Sequence, residues 1–151
     1  MTTADDMVKL AMRHVGERYI LGADVPLDRA GYTGPWDCAE FASWLAYQMT
    51  GKLIGCVKND VAVARADPYS DAWARDGERS GQIVLQNDAG HSRGAVLVRR
   101  PRNDRPGHVA ISRGDGTTIE AMDHVHGVAV GNVAGRRWDI CFRIPGITYA
   151  G

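Results

Sequence analysis

The hydrophobic period of this 151-residue chain changes once, near residue 82, and that change constrains the fold more than any other feature. Before it, apolar residues recur at helical spacing. Met7, Leu10, Ala11, His14 and Val15 share one face of a first helix, with Thr3 or Asp5 placed to cap it and Gly16 to end it. Phe41, Trp44 and Leu45 mark a second helix that starts at Asp37, a good N-cap type, and runs to about Met49, with Gly51 as its stop. Shorter helical turns are expected over 61–66 and 69–75, the first broken at Asp67-Pro68 because the residue before proline avoids the α region, the second ending near Gly77. After residue 82 the alternation has period two. Segments 82–85, 95–98, 108–112, 117–122, 128–130 and 140–144 read as the strands of a meander, with Gly114-Asp115-Gly116 as a hairpin turn. Helices first and strands afterwards are the layout of an α+β domain, N-terminal helices packed on a C-terminal antiparallel β-sheet.

The length suits a single domain spanning 1–151, and no repeat, low-complexity tract or linker divides it. Eighteen basic and eighteen acidic residues cancel, which argues against a nucleic-acid partner. Cys38, Cys56 and Cys141 are odd in number and lack C-x-x-C spacing, so reduced thiols are expected. Met1 to Asp6 lacks the basic start and apolar core of a secretory signal, and no apolar run approaches a membrane span. The expectation is a chain that is cytoplasmic as synthesised, does not insert in membranes, and reaches any outside target by a route without that signal.

Chemistry concentrates at Cys38. It falls in the first turn of the second helix, where free N–H groups and the helix dipole favour a thiolate. Two readings follow: a nucleophile, or a small buried hydrophobe. A nucleophile needs a base. Of the five histidines, His14 lies on the core face of the first helix, His91 sits in a glycine-rich loop, and His124 and His126 occupy a turn. His108 differs, because it opens an apolar strand after Arg105-Pro106-Gly107 and is aimed by a rigid sheet. The hairpin brings Glu120 into near register with His108, where same-face neighbours are about 5 Å apart at Cβ. That is the geometry of a Cys–His–carboxylate triad, set against the reading of Glu120 as an exposed strand residue. Arg99, Arg100, Arg102 and Arg105 precede His108 and either bind substrate carboxylates or are solvated. Asp123, His124 and His126 are too weak a pattern to indicate a metal.

Four segments, Tyr19-Ile20-Leu21-Gly22, Trp36-Asp37-Cys38-Ala39-Glu40-Phe41, Pro106-Gly107-His108-Val109-Ala110-Ile111 and Thr118-Ile119-Glu120-Ala121, resemble in order and spacing the motifs of NlpC/P60 cysteine peptidases. These are papain-like enzymes that cut the peptide stems of bacterial cell walls. The resemblance covers about Leu10 to Ile144 and implies a papain-like fold. It makes Cys38 the nucleophile, with its backbone N–H in the oxyanion hole, and His108 the base and then the acid. Glu120 falls where the family has a third polar residue, commonly histidine; His124 and His126 stay open as alternatives. Tyr19 matches a tyrosine lining the site, and Asp37 an acidic residue that in some members binds a free amine of the stem. The chain departs from the family at Ala39 and Glu40, where serine and glycine are usual. Ala23 replaces a second glycine, and Ala95 an acidic residue. The activity implied is hydrolysis of an amide in a peptidoglycan stem peptide, often between D-γ-glutamyl and a diamino acid, with no cofactor. The alternatives are an acyltransferase or other amidase using the same thiol, and a non-catalytic phage or secretion-particle module. The partners implied are the stem peptide and, by route of delivery after lysis, injection or non-classical export, a phage or secretion assembly or an inhibitor or immunity protein.

Overall fold

A computed structural model describes residues 2–150. The N-terminal half holds helices α1 (Ala4–Met12), α2 (Cys38–Thr50) and α3 (Ser70–Ser80), with a single 3-10 turn at Val63–Arg65. Strands β1 (Gln82–Ile83), β2 (Val96–Arg99), β3 (His108–Ser112), β4 (Thr117–Asp123), β5 (Gly127–Asn132) and β6 (Ile140–Arg143) follow, with a short helix α4 (Gln86–Gly90) after β1.

Local chemistry explains the helix ends. Thr3 caps α1 by accepting from the Asp6 N–H, and Asp6 returns the bond to the Thr3 N–H. The helix ends at Met12, earlier than its apolar spacing predicts. His14 and Val15 lie in turns instead, because the His14 ring folds back to Glu17 at 2.7 Å and packs edge-on against Trp36 and Trp44. Asp37 caps α2, and Gly51 ends it at φ 70°, a left-handed position that favours glycine. Every residue of α2 from Cys38 to Ala46 is buried, so this helix is enclosed on all sides rather than resting on the sheet by one stripe. Helix α3 passes through Gly77, contrary to the expected stop. A Cβ there would lie 2.4 Å from the Phe142 ring, so the glycine lets helix and sheet approach. The short helix α4 has no counterpart in the period-two reading of its segment.

The sheet is antiparallel and ordered β1-β6-β2-β3-β4-β5. Strands β2 to β5 form a meander, but β6 returns to lie between β1 and β2, so the expected simple meander is only part of the sheet. Its two faces have different tasks. Val96, Val98, Val109, Ile111, Ile119 and Ala121 join the main core with Met7, Phe41, Trp44 and Leu45. Ala95, Leu97, Ala110 and Cys141 form a smaller cluster with Val133 and Trp138 on the other face. Strand alternation places Arg99, His108 and Glu120 on that second face. Among the described residues no helix is long and apolar enough to cross a membrane.

Candidate active site

The start of α2 is held by three short-range devices. Backbone bonds from Ile20 N–H to the Trp36 carbonyl (2.9 Å) and from Trp36 N–H to the Arg18 carbonyl (3.0 Å) lay Tyr19 alongside Trp36. The Trp36 indole donates to Glu17 Oε1 at 2.8 Å, the same oxygen that contacts His14, which makes His14 part of the scaffold. Asp37 uses both carboxylate oxygens. Oδ1 accepts from Glu40 N–H at 2.9 Å and Oδ2 from Gly22 N–H at 3.2 Å. The residue before Cys38 therefore ties the helix to the Tyr19–Gly22 segment. Cys38 is then the first helical residue, buried, with a free thiol. Cys56 and Cys141 are also free, but burial pushes both thiols up to about 11, which leaves them protonated at neutral pH.

His108 lies between the thiol and a carboxylate. Its Nε2 is 2.7 Å from Glu120 Oε1. Burial disfavours its charged form, yet the neighbouring Cys38 side chain and the hydrogen-bonded Glu120 outweigh this and push it up to about 9. Glu120 is 1% exposed and heavily partnered. Arg136 grips it with both terminal nitrogens, Nη2 to Oε1 at 2.6 Å and Nη1 to Oε2 at 2.9 Å, and the Thr118 hydroxyl donates to Oε2. Burial alone would raise this carboxyl, but Arg136, His108 and Thr118 bring it down to about 2. The Arg136 guanidinium in turn stacks 4.6 Å from the Trp138 ring, and Trp138 lies beside His108 with ring centroids 6.3 Å apart.

Around this line stand the remaining candidates. Tyr19 is half-buried, and its phenol is pushed up by burial and by Cys38 and Asp37 nearby. Burial also raises Asp37, against its backbone hydrogen bonds. Tyr19, Ile20, Leu21, His124, Val125 and His126 line one open cleft. His124 and His126 are exposed, and His126 is engaged by Asp123 at 2.8 Å. Among the described residues neither histidine hydrogen-bonds to His108 or Cys38. Glu40, one of the departures from the resembled motif, is only 7% exposed, and its Oε2 has no partner. Burial, with Asp37 beside it, pushes it up to about 8.

The structure thus brings Cys38, His108 and Glu120 together, with Tyr19 and Asp37 at the nucleophile's end. Sequence reasoning did not find Thr118, Arg136 or Trp138. Thr118 was findable, since it lies two residues before Glu120 on the same strand face. Arg136 and Trp138 come from the segment before β6, and no spacing rule links that segment to Glu120. Among the described residues no group of three or more His, Cys, Asp or Glu side chains is arranged to hold a metal ion. Chemically, the arrangement can move a proton from the thiol to an imidazole whose far nitrogen is fixed on a locked carboxylate.

No protein-family model matches the sequence, and no curated protein matches it significantly. Solved structures do match the fold. The NlpC/p60 domain of the peptidoglycan hydrolase SagA is 20% identical with a TM-score of 0.62, the match covering 94% of this chain and 99% of that one. The P60 domain of an antigen from M. avium subspecies paratuberculosis is 22% identical with a TM-score of 0.64, over 93% and 94%. An NlpC/P60 family protein from Bacillus cereus is 19% identical with a TM-score of 0.66, over 95% of this chain and 41% of that one. This chain likewise spans 47% of NlpC2 and 45% of NlpC1 from Trichomonas vaginalis. Helices ahead of an antiparallel sheet, Cys38 at a helix start and His108 at a strand start are shared with the reading from sequence, and the chain has the fold of NlpC/P60 domains.

Proposed function

We propose that this protein is a cysteine hydrolase that cleaves an amide bond in peptidoglycan stem peptides through Cys38, His108 and Glu120. The observation that carries the reading is His108, flanked by the Cys38 thiol and by a Glu120 carboxylate that Arg136 holds in place. The SagA domain, from a protein named as a peptidoglycan hydrolase, supports the substrate class through the shared fold.

The geometry performs the reaction in two halves. Glu120 accepts the Nε2–H of His108, which leaves Nδ1 for the thiol. The thiol proton passes to His108, and the imidazolium is favoured by the same carboxylate. Cys38 sulfur attacks the amide carbonyl carbon, and the negative oxygen is met by backbone N–H at the start of α2. The C–N bond then breaks as His108 returns its proton to the leaving amine, giving a thioester. Water attacks the thioester while His108 takes its proton. The C–S bond breaks, and a carboxylic acid and the free thiol result. Tyr19, which lines the cleft with His124 and His126, and Asp37, the residue before Cys38, are the substrate-facing residues of this reading.

The test is incubation of wild-type protein and Cys38→Ala with intact peptidoglycan and soluble muropeptides under reducing conditions, with products read by mass spectrometry. New fragments with wild type alone are expected, and their masses identify the bond. Absence of fragments from every wall type would overturn the reading.

A further inference from the structure

The four arginines ahead of His108 look alike in sequence, and the structure separates them. Arg100 is paired with Asp71 at 2.7 Å and with Glu78. Arg102 faces Asp139 at 3.9 Å, and Arg105 is exposed. Arg99 is different in three ways. It is the last residue of β2 and the cross-strand partner of His108, so both side chains leave the same face of the sheet. It is half-buried, and its Nε is fully buried with no hydrogen-bond partner. Among the described residues no carboxylate lies within salt-bridge distance of its guanidinium.

Nearby acids are already taken. Arg136 holds Glu120, and Arg137 holds Asp139. Burial and the neighbouring Arg136 and Arg137 work against the charge of Arg99, while Cys38 favours it. A cation directly across the sheet from His108, with no side-chain acceptor for its guanidinium among the described residues, lacks an anion. Leaving such a donor unsatisfied is costly, and a planar guanidinium is shaped for a carboxylate.

We propose that Arg99 is the specificity residue of this site and binds a substrate carboxylate flanking the scissile amide, so that the protein selects peptides with that carboxylate free over peptides in which it is amidated. This rests on the stem-peptide reading above. A γ-glutamyl bond to a diamino acid suits it chemically, because the glutamyl residue keeps its α-carboxyl outside the bond, as a diaminodicarboxylic acid keeps its second carboxyl. The guanidinium donates through two N–H groups to a carboxylate, but an amide offers one acceptor oxygen and turns an NH2 toward the cation. The loss should appear in KM more than in kcat, since the carboxylate takes no part in bond breaking.

Two measurements test this. The first compares hydrolysis of matched muropeptides, free or amidated at one flanking carboxylate or the other, by wild type, Arg99→Gln and Arg99→Lys. Wild type should prefer the free acid by about 10- to 100-fold in kcat/KM, the range for losing a charged hydrogen-bond partner. Arg99→Gln should lose that preference, and Arg99→Lys should keep part of it. Equal wild-type rates on free and amidated peptides would overturn the proposal without requiring any variant to fold. The second measures binding of the same peptides to Cys38→Ala and to Cys38→Ala/Arg99→Gln by calorimetry, which needs no turnover. Arg99-dependent preference for the free acid with no hydrolysis by wild type would support Arg99 while overturning the hydrolase reading. No preference in binding would overturn the proposal for Arg99.

Discussion

Two buried glutamates, one on the helix that begins at Cys38 and one against His108, have opposite fates. Glu120, at 1% exposure, is met by His108, Thr118 and both terminal nitrogens of Arg136, and its pKa falls to about 2. Glu40, at 7% exposure, has an oxygen with no partner and Asp37 nearby, and its pKa rises to about 8. Burial is nearly the same, so burial does not decide the charge. Partners do. On the sheet the chain builds a fixed anion bonded to the His108 imidazole. On the helix it carries a carboxyl whose neutral form is favoured by burial and by Asp37 beside it.

Substitutions on the sheet side should have the largest effects. His108→Ala and Cys38→Ala should each lower kcat by at least about 1,000-fold, as removal of triad members does. In His108→Ala the anion is still held by Arg136 and Thr118, so thermal unfolding should show a folded protein. Glu120→Gln comes next and is not a conservative change here. Both oxygens accept from cationic donors, and an amide can offer only one oxygen, so a loss of about 100-fold in kcat is expected together with a lower melting temperature. Arg136→Met removes two of the bonds to Glu120. Because Arg136 is partly exposed, a destabilisation of about 2 kcal/mol in urea unfolding is expected, below the usual cost of breaking a fully buried pair. Activity should fall about 10-fold, with the acid limb of the pH–rate profile moved upward as Glu120 protonates more easily.

The pH dependence of stability separates the two carboxylates with opposite signs. Glu120, lowered from 4.5 to about 2, contributes stability that is fully present above pH 4.5 and is lost as pH falls through 2. His108, raised from 6.5 to about 9, contributes stability that is fully present below pH 6.5 and is lost as pH rises through 9. Glu40, raised from 4.5 to about 8, acts in the same direction as His108: its contribution is present below pH 4.5 and lost as pH rises through 8. The smallest expected effect is therefore Glu40→Gln, which should leave stability at pH 4 unchanged and raise the melting temperature at pH 8 by about 2–4 °C, the equivalent of 1 kcal/mol for a chain of this size. A variant that is equally stabilised at both pH values would show that Glu40 is not held neutral by its surroundings.

What was legible in the sequence follows the range of each interaction. The cap at Asp37, the buried stripe of Phe41, Trp44 and Leu45, and the glycine stop at Gly51 act within one or two turns, so α2 could be read almost to the residue. The Gly114-Asp115-Gly116 turn fixes a hairpin whose register brings Glu120 near His108. The family resemblance then joined this pair to Cys38. Features set by distant packing could not be read. Gly77 has the composition of a helix stop, but it is there because Phe142 packs on α3. Strand β6 pairs with β2 across more than forty residues, which no alternation pattern reports. Arg136 was missed for the same reason, since it reaches Glu120 through the loop that this strand order brings back. Glu40 was seen as a departure from the family, but its unpartnered oxygen depends on how the loops before α2 close over it.

In the proposed reaction Cys38 forms a covalent acyl intermediate under the direction of His108 and Glu120. The most direct measurement is intact-protein mass spectrometry of wild-type protein quenched in acid during turnover of a muropeptide, followed by peptide mapping. The proposed reaction leaves an adduct with the mass of the acyl half of the substrate, on Cys38 alone, and none in Cys38→Ser or His108→Ala when quenched identically. Turnover that continues in Cys38→Ala, or an adduct mapped to Cys56 or Cys141, would contradict it.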